Sequence, residues 1–290
     1  MWTSPLHEAR ANTGPSMEDV YLLMTALIAA RLFSLLGPYS LMLLAAAVLL
    51  VSVVISWMGV QCAPSGPNRQ PLGKIGGFRL VLTDRYLLLI ALLILLVNVV
   101  NTTGEFLLGK LVVMEADRVF GLGNGVELSK QAFIGGFYGR FFGWVNLLTV
   151  LFQLFLVSRI FKYIGMCQAL LILPVIAMAG YGLLAALPLL GVVQVAKVLE
   201  NSTDYSIQNT ARHALFLPTS REAKYKAKTT IDTFFWRVGD MLQAALVFIG
   251  VRLAFDVGDY ALVNIGFAGV WILVVLLIHR EQKKLVGAVC

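Results

Sequence analysis

Charge is scarce in this chain. Of its 290 residues 13% are Asp, Glu, Lys or Arg, about half the ~25% usual in soluble globular domains. Hydrophobic residues make up 59% and the mean hydropathy is +0.82. A water-soluble fold is excluded, because no soluble domain of this size hides that much apolar surface. Cysteine and histidine are scarce too, at three each. Cys62, Cys167 and Cys290 stand singly, with no CxxC pair and no histidine nearby, so a metal site or a redox couple is not expected and the three read as packing residues. His7, His213 and His279 are equally isolated, which leaves a nucleophile, base and orienter set without members. No paired carboxylates or activated serine stand at a membrane face, so an enzyme is not expected. Gly121, Gly123 and Gly125 lack the strand before and helix after that a phosphate-cradling loop needs. The first 19 residues are polar and lack the charged, apolar, small-residue order of a signal peptide.

What the chain has is long apolar runs, and about 20 such residues cross a bilayer core. Spans are expected at 20–36, 40–60, 86–106, 134–157, 164–181, 184–203, 236–254 and 260–279. The expected fold class is thus an all-α integral membrane bundle of about eight helices. Its organisation is a polar lead-in over 1–19, two helices over 20–60, a basic linker over 61–85, a six-helix bundle over 86–279 and a basic tail over 280–290. Gly180-Tyr181-Gly182, with Pro188 beyond, marks a tight reversal between the fifth and sixth spans. Gly135, Gly139 and Gly143 form a repeated GxxxG, a pattern that lets two helices approach closely.

Orientation follows from the loops. Fifteen of the 23 Lys and Arg fall in alternate connections: 61–85, 158–163, 204–237 and the tail after 279. The opposite connections hold Lys110, Arg118 and Lys130, diluted by Glu115, Asp117 and Glu127. Cytoplasmic loops carry the basic excess, so both termini are expected in the cytoplasm, with the protein multi-pass in a cell inner membrane. The net charge of +7 then reflects attraction to anionic headgroups rather than to nucleic acid. In the longest basic connection Pro218 ends one element, and Thr219-Ser220-Arg221-Glu222 reads as a capping box that starts the next.

Polar groups inside the spans carry the functional signal, because an ionisable side chain at membrane depth is costly and faces a cavity, a pathway or a partner. Asn98, Asn101, Thr102 and Glu105 recur at i, i+3, i+4 and i+7 on one helix face. Lys197, Asn201, Asp204 and Gln208 make a second stripe, with Glu200 beside it. Facing each other, the two stripes would line an aqueous cavity. Arg140, Asn146 and Gln153 on the fourth span and Arg237, Asp240 and Gln243 on the seventh add to it. The competing structural reading lets Glu105 and Glu200 reach headgroups from the span ends and has the asparagines tie helices together.

Lys197, the run Asp204-Tyr205-Ser206-Ile207-Gln208-Asn209-Thr210, then Ala223-Lys224-Tyr225-Lys226-Ala227-Lys228 and Ile231-Asp232 resemble the non-mitochondrial ATP/ADP antiporters, the nucleotide transporters of plastids and intracellular bacteria, and their bacterial relatives. Gly77-Phe78-Arg79, Asp84-Arg85-Tyr86-Leu87 and Asn101-Thr102-Thr103-Gly104-Glu105 look like the start of the seventh helix of those relatives. The resemblance runs from about Ala29 to Arg280 and is most specific over 197–232. It implies a major-facilitator-like fold in which solute moves by alternating access between two six-helix halves. Against that pattern the eight spans match helices five to twelve, the second half and two helices of the first. Asp240 follows Gly239 where plastid members carry a lysine associated with nucleotide phosphate, a change of sign. The substrate-binding residues expected on this basis are Asn98, Asn101, Glu105, Arg140, Lys197, Asn201, Asp204, Gln208, Arg237 and Asp240. Lysine and arginine would hold an anionic group, the carboxylates would take up a proton or pair with the cations, and the amides would hydrogen-bond the solute. The partners expected are the lipid bilayer and a small anionic solute, with ATP and ADP among the candidates and a second copy of the chain an open option; no cofactor or metal is expected. A transport-incompetent relative that serves as a membrane scaffold is the alternative.

Overall fold

Asp84 opens the longest helix by turning its carboxylate back onto the backbone: Oδ1 accepts from the amides of Tyr86 at 2.8 Å and Leu87 at 3.5 Å, which satisfies two of the donors every helix start leaves free. From there the apolar run carries one unbroken helix to Phe120. The computed structural model describes residues 40, 43–44, 46–58, 76–121 and 127–287, with side chains outside 127, 128, 167 and 285–287. The lead-in over 1–19, the span at 20–36, residues 61–75 of the linker, Gly123, Gly125, Cys62, Cys290 and the Cys167 side chain lie outside the described residues.

The described residues form helices and no strand. The chain divides into two units. In Ser16–Lys74 the described part is an apolar helix, α1 (Ala46–Met58). The other unit contains α2 (Gly77–Thr83), α3 (Arg85–Phe120), α4 (Ser129–Tyr163), the short α5 (Met166–Ala169), α6 (Ile172–Ala186), α7 (190–214), α8 (Ala223–Arg252) and α9 (Val257–Gly287). Of these, α3, α4, α8 and α9 are long and apolar enough to cross a membrane. The stretch over 190–214 is long enough as well, but every ~18-residue segment of it contains Lys197, Glu200 and Asp204, which removes the uninterrupted apolar signature of a span. At 1.5 Å per residue the 15 residues of α6 cover roughly 22 Å, short of a ~30 Å core.

Helix α3 is the centre of its unit, packed against α2, α4, α7, α8 and α9. The burial pattern follows: 72% of its apolar window is buried, against 11% for α8. The core is a continuous aliphatic cluster around Ile90, Leu93, Ile94, Leu107 and Leu108, joined by Tyr260 and Trp271 from α9. Outer apolar side chains such as Phe155, Met241 and Phe248 are exposed, as they are where lipid rather than water is the solvent.

Several sequence expectations are corrected by these elements. The reversal placed at Gly180-Tyr181-Gly182 falls instead at Leu187-Pro188-Leu189, and α6 runs straight through the glycines. Gly180 is there for packing: a β-carbon would stand 2.9 Å from that of Ala196 on α7. Pro188, with no N–H to donate, marks the break. The fifth span is likewise split, since Gly165, at φ +96°, separates α4 from α5, and α6 starts afresh at Ile172. The GxxxG face at Gly135, Gly139 and Gly143 meets no neighbour: a β-carbon at any of them would find nothing within 4 Å among the described residues. The start of α8 is capped by Ser220, whose Oγ accepts from the Ala223 amide at 3.3 Å, while Thr219 donates back to the Phe216 carbonyl.

Wider π-type turns interrupt three helices, at Phe152–Leu156 in α4, Asp204–Gln208 in α7, and Ala223–Ala227 and Ile231–Phe235 in α8. Such turns are rare and recur where a helix has to re-aim side chains. The α4 and α7 turns pack against each other.

Candidate functional site

The polar stripe of α3 divides between two neighbours. Asn98, nearer the start of the helix, donates through Nδ2 to the Trp236 carbonyl and to Asp240 Oδ1 of α8, both at 2.7 Å. Asp240 also receives Arg237 Nη1 at 3.1 Å, one turn back on its own helix. One turn further along α3, Asn101 and Glu105 meet α7. Lys197 Nζ donates to Asn101 Oδ1 at 2.5 Å and lies 3.3 Å from its carbonyl oxygen. The same ammonium stands 3.4 Å from Glu105 Oε1 and 3.3 Å from Glu200 Oε1. Asn201 Nδ2 donates to Glu105 Oε1 at 2.8 Å.

Where Asn101 and Glu105 face Lys197 and Asn201, the two stripes touch directly, with no aqueous gap between them. The cause is length: the Lys197 stem reaches across the helix gap, and Gly104, where a β-carbon would collide with the Tyr181 hydroxyl and sit 3.0 Å from Lys197 Cδ, leaves room for it. The Lys197 side chain is 1% exposed and Glu200 5%, whereas Glu105 is 36% exposed. Glu105 is therefore the open edge of the cluster. Glu200, which a headgroup reading would place at the membrane surface, is sealed inside it.

Two groups that the sequence reading did not single out complete the cluster. The Tyr181 hydroxyl lies 3.0 Å from Glu200 Oε2 and 3.2 Å from the Val100 carbonyl, so its one proton serves either acceptor. Asn264 of α9 donates to the same carbonyl at 3.2 Å. Asn264 is the lone amide in the apolar stretch 260–279, and that isolation is the signal that could have found it. Tyr181 offered no such signal, because between two glycines it read as part of a turn.

Further along α7, Asp204 is 8% and Gln208 1% exposed, in line with Lys197 and Asn201. Arg212 continues the line, held by Asn209 Oδ1 at 3.0 Å and lying over the Trp236 ring at 5.5 Å. Gln153, buried in the π-type turn of α4 that faces the α7 turn, is the fourth span's member near this line. Arg140 stays outside it on the exposed side of α4, and Arg237, at 81% exposure, belongs to the Asn98–Asp240 group rather than to the Lys197 cluster.

Chemically the cluster has one ammonium, two carboxylates in contact with it and a third, Asp204, one turn on. Such a set can hold an anionic group at the ammonium if the carboxylates give way, and can take up cationic charge if they do not. Among the described residues no three His, Cys, Asp or Glu side chains are grouped to hold a metal ion. Compared with known proteins, the chain matches no family model, no curated protein and no solved structure.

Proposed function

We propose that this protein is a secondary membrane transporter that moves a small anionic solute, with ATP and ADP among the candidates, by alternating access at the Lys197 cluster. The observation that carries the reading is Lys197 itself: an ammonium 1% exposed, on a helix packed inside an apolar bundle, tied to groups from α3 and its own helix. A charge in that position costs about 3 kcal/mol on insertion scales, and a bundle that needed only packing would put an aliphatic residue there. In the proposed cycle the Lys197 ammonium exchanges Glu105, the open partner, for the solute's anionic group. Asn101 and Asn201 then hydrogen-bond the solute, and the Asn98–Asp240–Arg237 group links α3 to α8 on the other side. The resemblance to nucleotide antiporters supports the same assignment through Lys197, Asp204 and the basic segment 221–228.

The proposal includes eight spans in a major-facilitator-like arrangement, an inner-membrane location and both termini in the cytoplasm, which the alternate basic loops support. One observation favours the scaffold alternative: every Lys197 partner is internal and in direct contact, as in a closed structural network. Detergent-purified protein, melted in the presence of ATP, ADP, inorganic phosphate and organic anions, separates the two readings. A transporter gives a rise in melting temperature with at least one anion that vanishes in Lys197→Ala. A scaffold gives no rise with any of them. Turnover of a nucleotide or lipid in the same samples would replace both readings with an enzyme.

A further inference from the structure

The Lys197 cluster does not end at Asn201. On the same face of α7, Asp204, Gln208 and Arg212 follow at intervals of three or four residues, so a polar line buried from Lys197 to Gln208 continues to the half-buried Arg212, 15 residue steps or roughly 22 Å of helix axis from Lys197. The π-type turn at Asp204–Gln208 sustains this line. A regular helix drifts off a four-residue spacing, and a widened turn holds the fourth residue back under the first.

The atoms along this line are unusually short of partners. Asn201 Oδ1, both amide atoms of Gln208 and Arg212 Nε are buried without a hydrogen-bond partner among the described residues. Gln208 is the decisive one. It is 1% exposed, and a primary amide buried with neither its donor nor its acceptor engaged costs about 1–3 kcal/mol for each unmet group. The unmet atoms are also mixed in kind: Arg212 Nε and Gln208 Nε2 donate, Gln208 Oε1 and Asn201 Oδ1 accept. A metal cation would satisfy the acceptors and be repelled by the donors, and an anion would do the reverse. Water both donates and accepts, and typically makes about three bonds in such places.

From this arrangement we infer that the buried face of α7 from Arg212 to Lys197 is a hydrated proton path, and that the coupling ion of the proposed transporter is a proton delivered through Asp204 to the Glu200–Lys197–Glu105 cluster. The inference rests on the transporter reading for its purpose, but not for its chemistry. A hydronium at the Arg212 end passes its excess proton along the waters held by Gln208. The Asp204 carboxylate accepts it, becoming a carboxylic acid and leaving water behind. It then gives the proton to the Glu200 carboxylate and returns to its ionised form. Neutralising Glu200 removes one of the two carboxylates competing for Lys197, so a proton arriving there frees the ammonium for an anionic solute. The titratable and charged groups around Asp204 are Lys197, Glu200, Tyr205 and Arg212 on its own helix, and Glu105 on α3 acts on Tyr205. Tyr181 of α6 and Tyr138 of α4 border those carboxylates.

The test needs no solute. Infrared difference spectra of the purified protein after a drop in bulk pH show buried carboxylates as they gain protons. The expected result is a Glu200 carboxylic acid band that is absent in Glu200→Gln, forms at least tenfold more slowly in Asp204→Asn and in Gln208→Met, and is retained in Asp204→Glu. Gln208→Met removes the two amide atoms that hold the waters at nearly constant volume, so it is expected to stay folded and to melt within a few degrees of the wild type. A band that forms at the same rate in Asp204→Asn or in Gln208→Met, a wild-type spectrum with no Glu200-dependent band, or a large loss of stability in Gln208→Met each overturns the path. The transporter reading fails separately, on anion binding that does not depend on Lys197.

Discussion

Replacing Lys197 with methionine is the sharpest perturbation available, because its cost follows from which partners remain stranded. The substitution keeps the length of the stem and deletes the ammonium. Glu105, 36% exposed and still bonded to Asn201 Nδ2 at 2.8 Å, keeps access to solvent and to one donor. Glu200, 5% exposed, is left with the Tyr181 hydroxyl at 3.0 Å as its donor. A buried carboxylate stripped of its cation typically costs about 3–5 kcal/mol. At the ~2–4 °C per kcal/mol usual for chains of this size, that is about 10 °C in melting temperature. If the stranded Glu200 is the cause, Lys197→Met combined with Glu200→Gln must recover much of the loss, with a coupling of about 2–3 kcal/mol between the two sites. Thermal melting of the four proteins in one detergent measures it. A Lys197→Met protein that melts within a degree of wild type, or two substitutions whose costs simply add, would refute the reasoning.

Tyr181→Phe removes a hydroxyl from Glu200 and a side-chain donor from the Val100 carbonyl, and is expected to cost about 1.5–3 kcal/mol in the same melting assay. Gly104→Ala places a β-carbon against the Tyr181 hydroxyl and Lys197 Cδ and is expected to destabilise by about 1–3 kcal/mol. Gly139→Ala, which meets nothing within 4 Å, is expected to stay within ~0.5 kcal/mol of wild type.

The apolar runs made the helical, membrane-like class legible, and helical periodicity made most of the cluster legible. Asn101 and Glu105 fall four residues apart, as do Lys197 and Asn201, and side chains at that spacing share a face whatever the surroundings. The periodicity could not say which neighbour each face would meet, so it did not separate Asn98, bonded to α8, from Asn101, bonded to Lys197. Nor could it show whether facing stripes stand apart or touch, since that depends on the reach of Lys197 and the space left by Gly104. Glycine misled twice. At Gly180 it serves close packing and not a turn, and at Gly135, Gly139 and Gly143 it leaves a face without a neighbour among the described residues. A glycine signals an absent side chain, and the sequence does not say whether the space is used for a bend, a contact or nothing.

Exchange across a bilayer tests the central claim most directly. Liposomes containing the purified protein are loaded with unlabelled ADP and inorganic phosphate, and uptake of labelled ATP and of labelled phosphate is followed beside Lys197→Met and protein-free liposomes. The account predicts uptake of at least one anion by the wild type that depends on the internal load and falls to the protein-free level in Lys197→Met. Uptake no greater than in protein-free liposomes, or uptake that a well-folded Lys197→Met protein retains in full, would contradict it.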